Sequence, residues 1–278
     1  MIRFVKLISI ILGIFLYAHP GYAQDLYNKE NSKAFAQYLL RSQQFHLASI
    51  ELERVNFMEP DNKHTRYQLV MAYRKANELQ SGISKIEKWY PQGNPDSTLV
   101  REWVRLLLLN HEFPRIQSYL TKPSVIPQAE IGYYQLAAAM LYGDYSKAAE
   151  YLSDNQKSNY PGQQNLSVLL KQQQSTKYKH SGLALGLSAV IPGLGKVYSK
   201  DWKDGLITLL FIATNTWQAY RGFSKDGITS VYGWIFGTMA VGFYGSNLYG
   251  SWKSASDYNL RLNNELHHEI EAAVYNRF

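Results

Sequence analysis

The chain has 278 residues, a net charge of +7, 46 % hydrophobic and 14 % aromatic residues. It has no cysteine, which excludes a disulfide scaffold, a thiol nucleophile and a Cys-based zinc site. A mean hydropathy of −0.31 excludes a chain that is apolar throughout, and the mild, scattered positive charge leaves no footprint for nucleic acid.

Residues 1–23 carry Arg3 and Lys6, then the apolar run Leu7–Tyr17, then Gly21 and Ala23 at the small-residue positions of a cleavage site. That order is a secretory signal peptide, so the chain is expected to be exported and cut after Ala23.

Residues 24–160 read as helix pairs. Phe35, Ala36, Leu39, Ala48, Leu52 and Val55, closed by Pro60, form one set of apolar or small positions. Leu69, Val70, Tyr73, Gly82, Ile86 and Trp89 form a second. The clearest turn is Leu141–Leu152, where Gly143 ends one helix, Tyr145 fills the gap and Ala148 meets the preceding helix. Asn110–Phe113 is a degraded version of that turn, and Asn62 and Asp96 stand where helix N-caps belong. These offsets, repeated about every 34 residues, resemble the tetratricopeptide repeat, and the resemblance implies a solenoid that binds a protein or peptide segment. Its packing positions are Ala48, Pro60, Tyr73, Gly82, Gly143, Tyr145 and Ala148.

Residues 161–180 form a polar linker with a short helix expected at 166–171. The composition then changes over 181–258. Gly205–Tyr220 and Gly227–Trp252 carry no charge, which predicts an antiparallel hairpin of two transmembrane helices. Gly233, Gly237, Gly242, Ser246 and Gly250 are the small residues expected to pack it, and Asn215 and Gln218 should face a neighbouring helix. Ahead of the hairpin, a short apolar helix over 182–191 is broken by Pro192-Gly193, which predicts a re-entrant or interfacial segment. The run Pro192-Gly193-x-Gly195-x-x-Tyr198, followed by Trp202 and Gly205, resembles the short membrane modules of the TM2 and domain-of-unknown-function 5683 families. That resemblance implies location and architecture but no reaction. A polar helix is expected over 259–278, where the adjacent His267 and His268 lack the spacing of a metal pair.

The expected fold class is therefore all-α: a tetratricopeptide-like solenoid, a short re-entrant helix and a transmembrane hairpin. No nucleophile, paired-carboxylate, zinc or phosphate-loop pattern is present, so neither catalysis nor a cofactor is expected. The expected role is a protein-interaction scaffold at a bacterial cell envelope, anchored in the inner membrane with the repeats on the periplasmic side. Its partners would be a protein or peptide on the repeats and the lipid bilayer around the hairpin. Two alternatives are a structural subunit, in a membrane complex or homo-oligomer joined through the glycine-rich hairpin, and a small lipid- or solute-handling module.

Overall fold

Among the residues that the computed structural model describes, which are 25, 27–91, 95–121, 124–155, 158 and 160–278, there are thirteen α-helices, one 3-10 turn and no strand. The signal segment expected at 1–23 lies outside them. The contacts divide the chain into two compact units between Asn110 and His111.

The first unit holds α1 (Lys29–Arg41), α2 (Phe45–Met58), α3 (Lys63–Lys75), α4 (Leu79–Trp89) and α5 (Ser97–Leu109). Each helix packs on the next, and α3 also packs on α5. Asn62 caps α3 by accepting from the N–H groups of His64 and Thr65, and Asp96 caps α5 in the same way through Thr98 and Leu99. Ala36, Leu39, Ala48, Leu52, Leu69 and Ala72 form a continuous buried cluster, with Tyr73 and Trp89 against its edge. Ala48 is fully buried in that cluster. Gly82 lets α5 come close, because a Cβ there would stand 2.9 Å from Leu106 Cδ1. Pro60 is exposed beyond α2.

The repeat is plainest in the backbone. Gln43, Asn77 and His111, each 34 residues after the last, take φ of 58°, 60° and 58°, and Gly143 takes 83°. All four sit in the turn between consecutive helices. At three of these turns the next N–H closes the preceding helix: Gln44 to the Leu39 carbonyl, Glu78 to Tyr73 and Asp144 to Ala139, at 2.8–2.9 Å. A left-handed residue other than glycine costs about 1 kcal/mol or more. Gln43→Gly is therefore expected to stabilise the first unit by about 1 kcal/mol, read as a raised urea midpoint with unchanged slope. An unchanged midpoint would mean that Gln43 is not strained.

The ionic centre of this unit is buried. Arg74 donates through Nε and Nη2 to Glu102 at 2.6 and 3.4 Å, and Arg105 donates to the same carboxylate at 2.6 Å. Glu102 is 0 % exposed.

The second unit begins with α6 (Phe113–Leu120), α7 (Gln128–Tyr142), α8 (Tyr145–Asp154) and α9 (Gln163–Ser175). Gly143 ends α7 in the left-handed region, and Ala148 is fully buried on α8, as the turn pattern predicts. The linker helix expected at 166–171 is the centre of the longer α9. Then come α10 (Ser181–Val190), the short α11 (Leu194–Tyr198), α12 (Trp202–Asp226), a 3-10 turn at Gly227–Thr229 and α13 (Val231–Tyr275). The polar helix expected at 259–278 is not a separate element. It continues α13, a single helix of 45 residues and about 68 Å. The first half of α13 pairs antiparallel with α12. Its last turns pack on α7 and α9, burying Leu266, Ile270 and Val274 at helical spacing. Just past its end, the Arg277 guanidinium lies 5.7 Å from the centroid of the Tyr133 ring on α7.

The transmembrane expectation is corrected here. No helix among the described residues is long and apolar enough to cross a membrane. The physical reason is that freedom from charge is not apolarity. The uncharged stretches are diluted by Gly, Ser, Thr, Asn and Tyr, and Gly205–Tyr220 covers only about 24 Å as helix. The second stretch starts in the 3-10 turn, and its helix runs on into the charged segment from Lys253 onward. The transmembrane hairpin and the inner-membrane anchoring drawn from it are withdrawn. So is the re-entrant reading of 182–191, since α10 packs on α13 as an ordinary helix.

Candidate functional site: the glycine motif

Between the end of α10 and the start of α12 lie only about a dozen residues, α11 among them. Pro192 cannot continue α10, and Gly193 takes φ +86°, a conformation that favours a residue without a Cβ. Three glycines then bring three backbones together. A Cβ on Gly193 would stand 2.0 Å from the Gly205 carbonyl oxygen, and one on Gly195 would stand 1.9 Å from that of Ala184. A Cβ on Gly205 would meet the Gly193 carbonyl oxygen at 2.6 Å. The motif glycines are thus a clasp joining α10, α11 and α12.

Polar side chains on α10 and α13 satisfy the backbone groups that the clasp leaves unpaired. Asn247, only 2 % exposed, accepts from the Gly193 N–H at 2.9 Å and donates to the Ser188 carbonyl at 3.2 Å. The Ser188 hydroxyl accepts from the Gly195 N–H at 2.9 Å and shares a 2.6 Å hydrogen bond with Ser251. Tyr244 donates to the Ala189 carbonyl at 2.7 Å, and Ser199 donates back to Gly195. Buried polar groups are tolerated only when paired, and this mesh pairs them.

At the other end of α10 the chain is held by Asn259, which accepts from the Lys179 N–H and donates to the Lys179 carbonyl, both at 2.8 Å. Tyr198 accepts from the His180 N–H at 3.1 Å, and the Lys179 ammonium lies 4.4 Å from its ring centroid. Lys196 lays its stem over Gly250 and donates to Thr208 at 3.0 Å.

The structure brings together Gly193, Gly195, Tyr198 and Gly205 of the motif, with Pro192 at the break. Trp202 starts α12 exposed and takes no part in the mesh. Of the small residues expected to pack the hairpin, Gly233 does so. A Cβ on its partner Gly222 would stand 2.6 Å from the Gly233 nitrogen. Gly237 makes ordinary contacts, Gly250 carries Lys196, and Gly242 and Ser246 face outward. Asn215 is buried, as expected of a residue facing a neighbour, but its amide donates to the Phe211 carbonyl of its own helix at 2.7 Å. Sequence reasoning gave no packing or hydrogen-bonding role to Ser188, Gly222, Asn247, Ser251 or Asn259. The signal that could have found two of them is the i, i+4 pair Asn247 and Ser251, polar positions on one face of an uncharged run.

Chemically the clasp is closed. Its hydroxyls and amides face one another, and no histidine or carboxylate is among their partners, so no base is placed to activate Ser188 or Ser251. Among the described residues no group of His, Asp or Glu is arranged to hold a metal. His267 and His268 both turn to Glu271 instead, at 3.5 and 3.2 Å. No family model matches the chain, and no curated protein or solved structure matches it significantly.

Proposed function

We propose that this chain is a non-catalytic scaffold, with the helix-pair array as the docking surface for a segment of another protein. The regular left-handed turn at 34-residue spacing carries the reading, because such arrays present an extended surface built from repeated helix faces. The likeness to tetratricopeptide repeats points the same way. The first repeat offers an anchor of the kind that dominates docking: Phe35 and Tyr38, stacked with ring centroids 6.3 Å apart, are both exposed on α1.

Site-specific incorporation of a photocrosslinking phenylalanine at Tyr38, in the cell that makes the protein, tests this role. One discrete adduct is expected, which Phe35→Ala removes without lowering the level of the chain. The absence of a discrete adduct at Tyr38 would sink the docking role of the array. A second reading, a structural subunit joined through the hairpin, is favoured by the large apolar side chains left exposed on α12 and α13.

A further inference from the structure

We infer that the basic surface where the segment ahead of α10, the turn after α11 and α13 meet is a docking site for an acidic segment of another protein. The inference is independent of the docking role proposed for the array.

Charge comes first. Between Asp154 and Asp201 the chain carries six lysines and no aspartate or glutamate. The fold draws two of those lysines to one place. Lys179, just before α10, and Lys200, in the turn after α11, both stand against the Tyr258 ring of α13. Their ammoniums lie 5.9 and 5.5 Å from its centroid. Among the described residues neither lysine makes an ion pair, although Asp201 and Asp257 adjoin Lys200 and Tyr258 in the chain. Two cations at one ring with no counter-charge attract an anionic partner and repel a basic one.

Both cations are placed before any partner arrives. Asn259 grips the Lys179 backbone on both sides, through its N–H and its carbonyl. Lys200 takes φ +65°, and its N–H donates to the Val197 carbonyl at 3.0 Å while that of Asp201 donates to Lys196 at 2.9 Å. This is the closure seen in the turns of the array. Main chain held in this way lowers the ordering cost of binding.

Spacing and depth then choose the occupant. Because both ammoniums stand against one ring, they are at most about 11 Å apart, which an extended segment crosses in about three residues. Carboxylates spaced along a single segment therefore reach both. Lys179 is half-buried and lies over the Tyr198 ring as well, whereas Lys200 is exposed. A side-chain carboxylate can reach in to a recessed ammonium; a flat layer of lipid headgroups meets only the cations that project.

Fluorescence anisotropy of a short dye-labelled peptide alternating Glu and Ser, titrated with the full chain at physiological salt, is the test. Lys179→Gln with Lys200→Gln should weaken binding about tenfold, with helix content unchanged. Lys179→Arg with Lys200→Arg should keep wild-type affinity. Lys63→Gln with Lys88→Gln removes as much charge from exposed positions of the first unit, and should change affinity less than about twofold. Equal weakening by the two glutamine pairs would reduce the effect to net charge and overturn the inference. So would a wild-type chain that does not bind the peptide, or unchanged binding by Lys179→Gln with Lys200→Gln. Tighter binding of phosphatidylglycerol vesicles or of oligothymidylate than of the peptide would overturn it too.

Discussion

Gly193→Val is expected to unfold the clasp that joins α10, α11 and α12. The new Cβ would lie 2.0 Å from the Gly205 carbonyl oxygen, and a β-branched residue would be held at φ +86°. The backbone strain alone is of order 1–3 kcal/mol. The overlap adds to it, because the obstacle is main chain and not a side chain able to swing away. Shifting Gly193 would also break its hydrogen bond to Asn247 and leave a buried amide unpaired, at about 1–3 kcal/mol more. Limited proteolysis should therefore open the chain at 180–204, while amide protection in the first unit stays as in wild type. Gly242→Ala is the control within the same hairpin. Nothing lies within 4 Å of its added Cβ, so it should be neutral or stabilising by up to about 1 kcal/mol. Wild-type protease resistance in Gly193→Val would show that the motif does not hold these helices together.

Glu102→Gln is the largest change expected in the first unit. The carboxylate is 0 % exposed and receives both Arg74 and Arg105, so an amide in its place leaves two guanidinium groups facing a neutral partner. Removing one member of a buried ion pair costs about 3–5 kcal/mol, against a typical domain stability of about 5–15 kcal/mol. Urea unfolding followed by amide hydrogen exchange in the first unit should show a much lower midpoint. The triple replacement Arg74→Met, Glu102→Leu and Arg105→Met should recover most of the loss, since it removes both guanidinium groups along with the carboxylate they face. A Glu102→Gln midpoint within error of wild type would mean that water reaches the pair.

The helix pairs were legible because apolar spacing is a local property. Phe35–Val55, Leu69–Trp89 and Leu141–Leu152 lie on helices that start and stop near where their caps and small residues predict. The left-handed turn at Gln43 was not legible, because glutamine does not favour that conformation, whereas Asn110–Phe113 was legible as a turn and holds His111 at φ 58°. There the closing hydrogen bonds and helix packing impose the turn. The Pro192-Gly193-x-Gly195 motif was visible as a break in α10, but its purpose was not. The atoms that explain it, the carbonyls of Ala184 and Gly205 and the side chains of Asn247 and Ser251, belong to other helices.

By itself, then, the sequence determined the all-helical class, the helix-pair period, the break at Pro192 and the lack of thiol chemistry. Each follows from residues within a turn or two of one another, or from composition. Tertiary structure decided that α13 runs unbroken to Tyr275 and packs its last turns on α7 and α9. It also decided which glycines are in contact with another backbone. That no helix among the described residues is long and apolar enough to cross a membrane follows from composition and helix length together. Which helices meet does not follow from residue order, because contacts such as that of Asn247 with Gly193 join segments far apart in the chain.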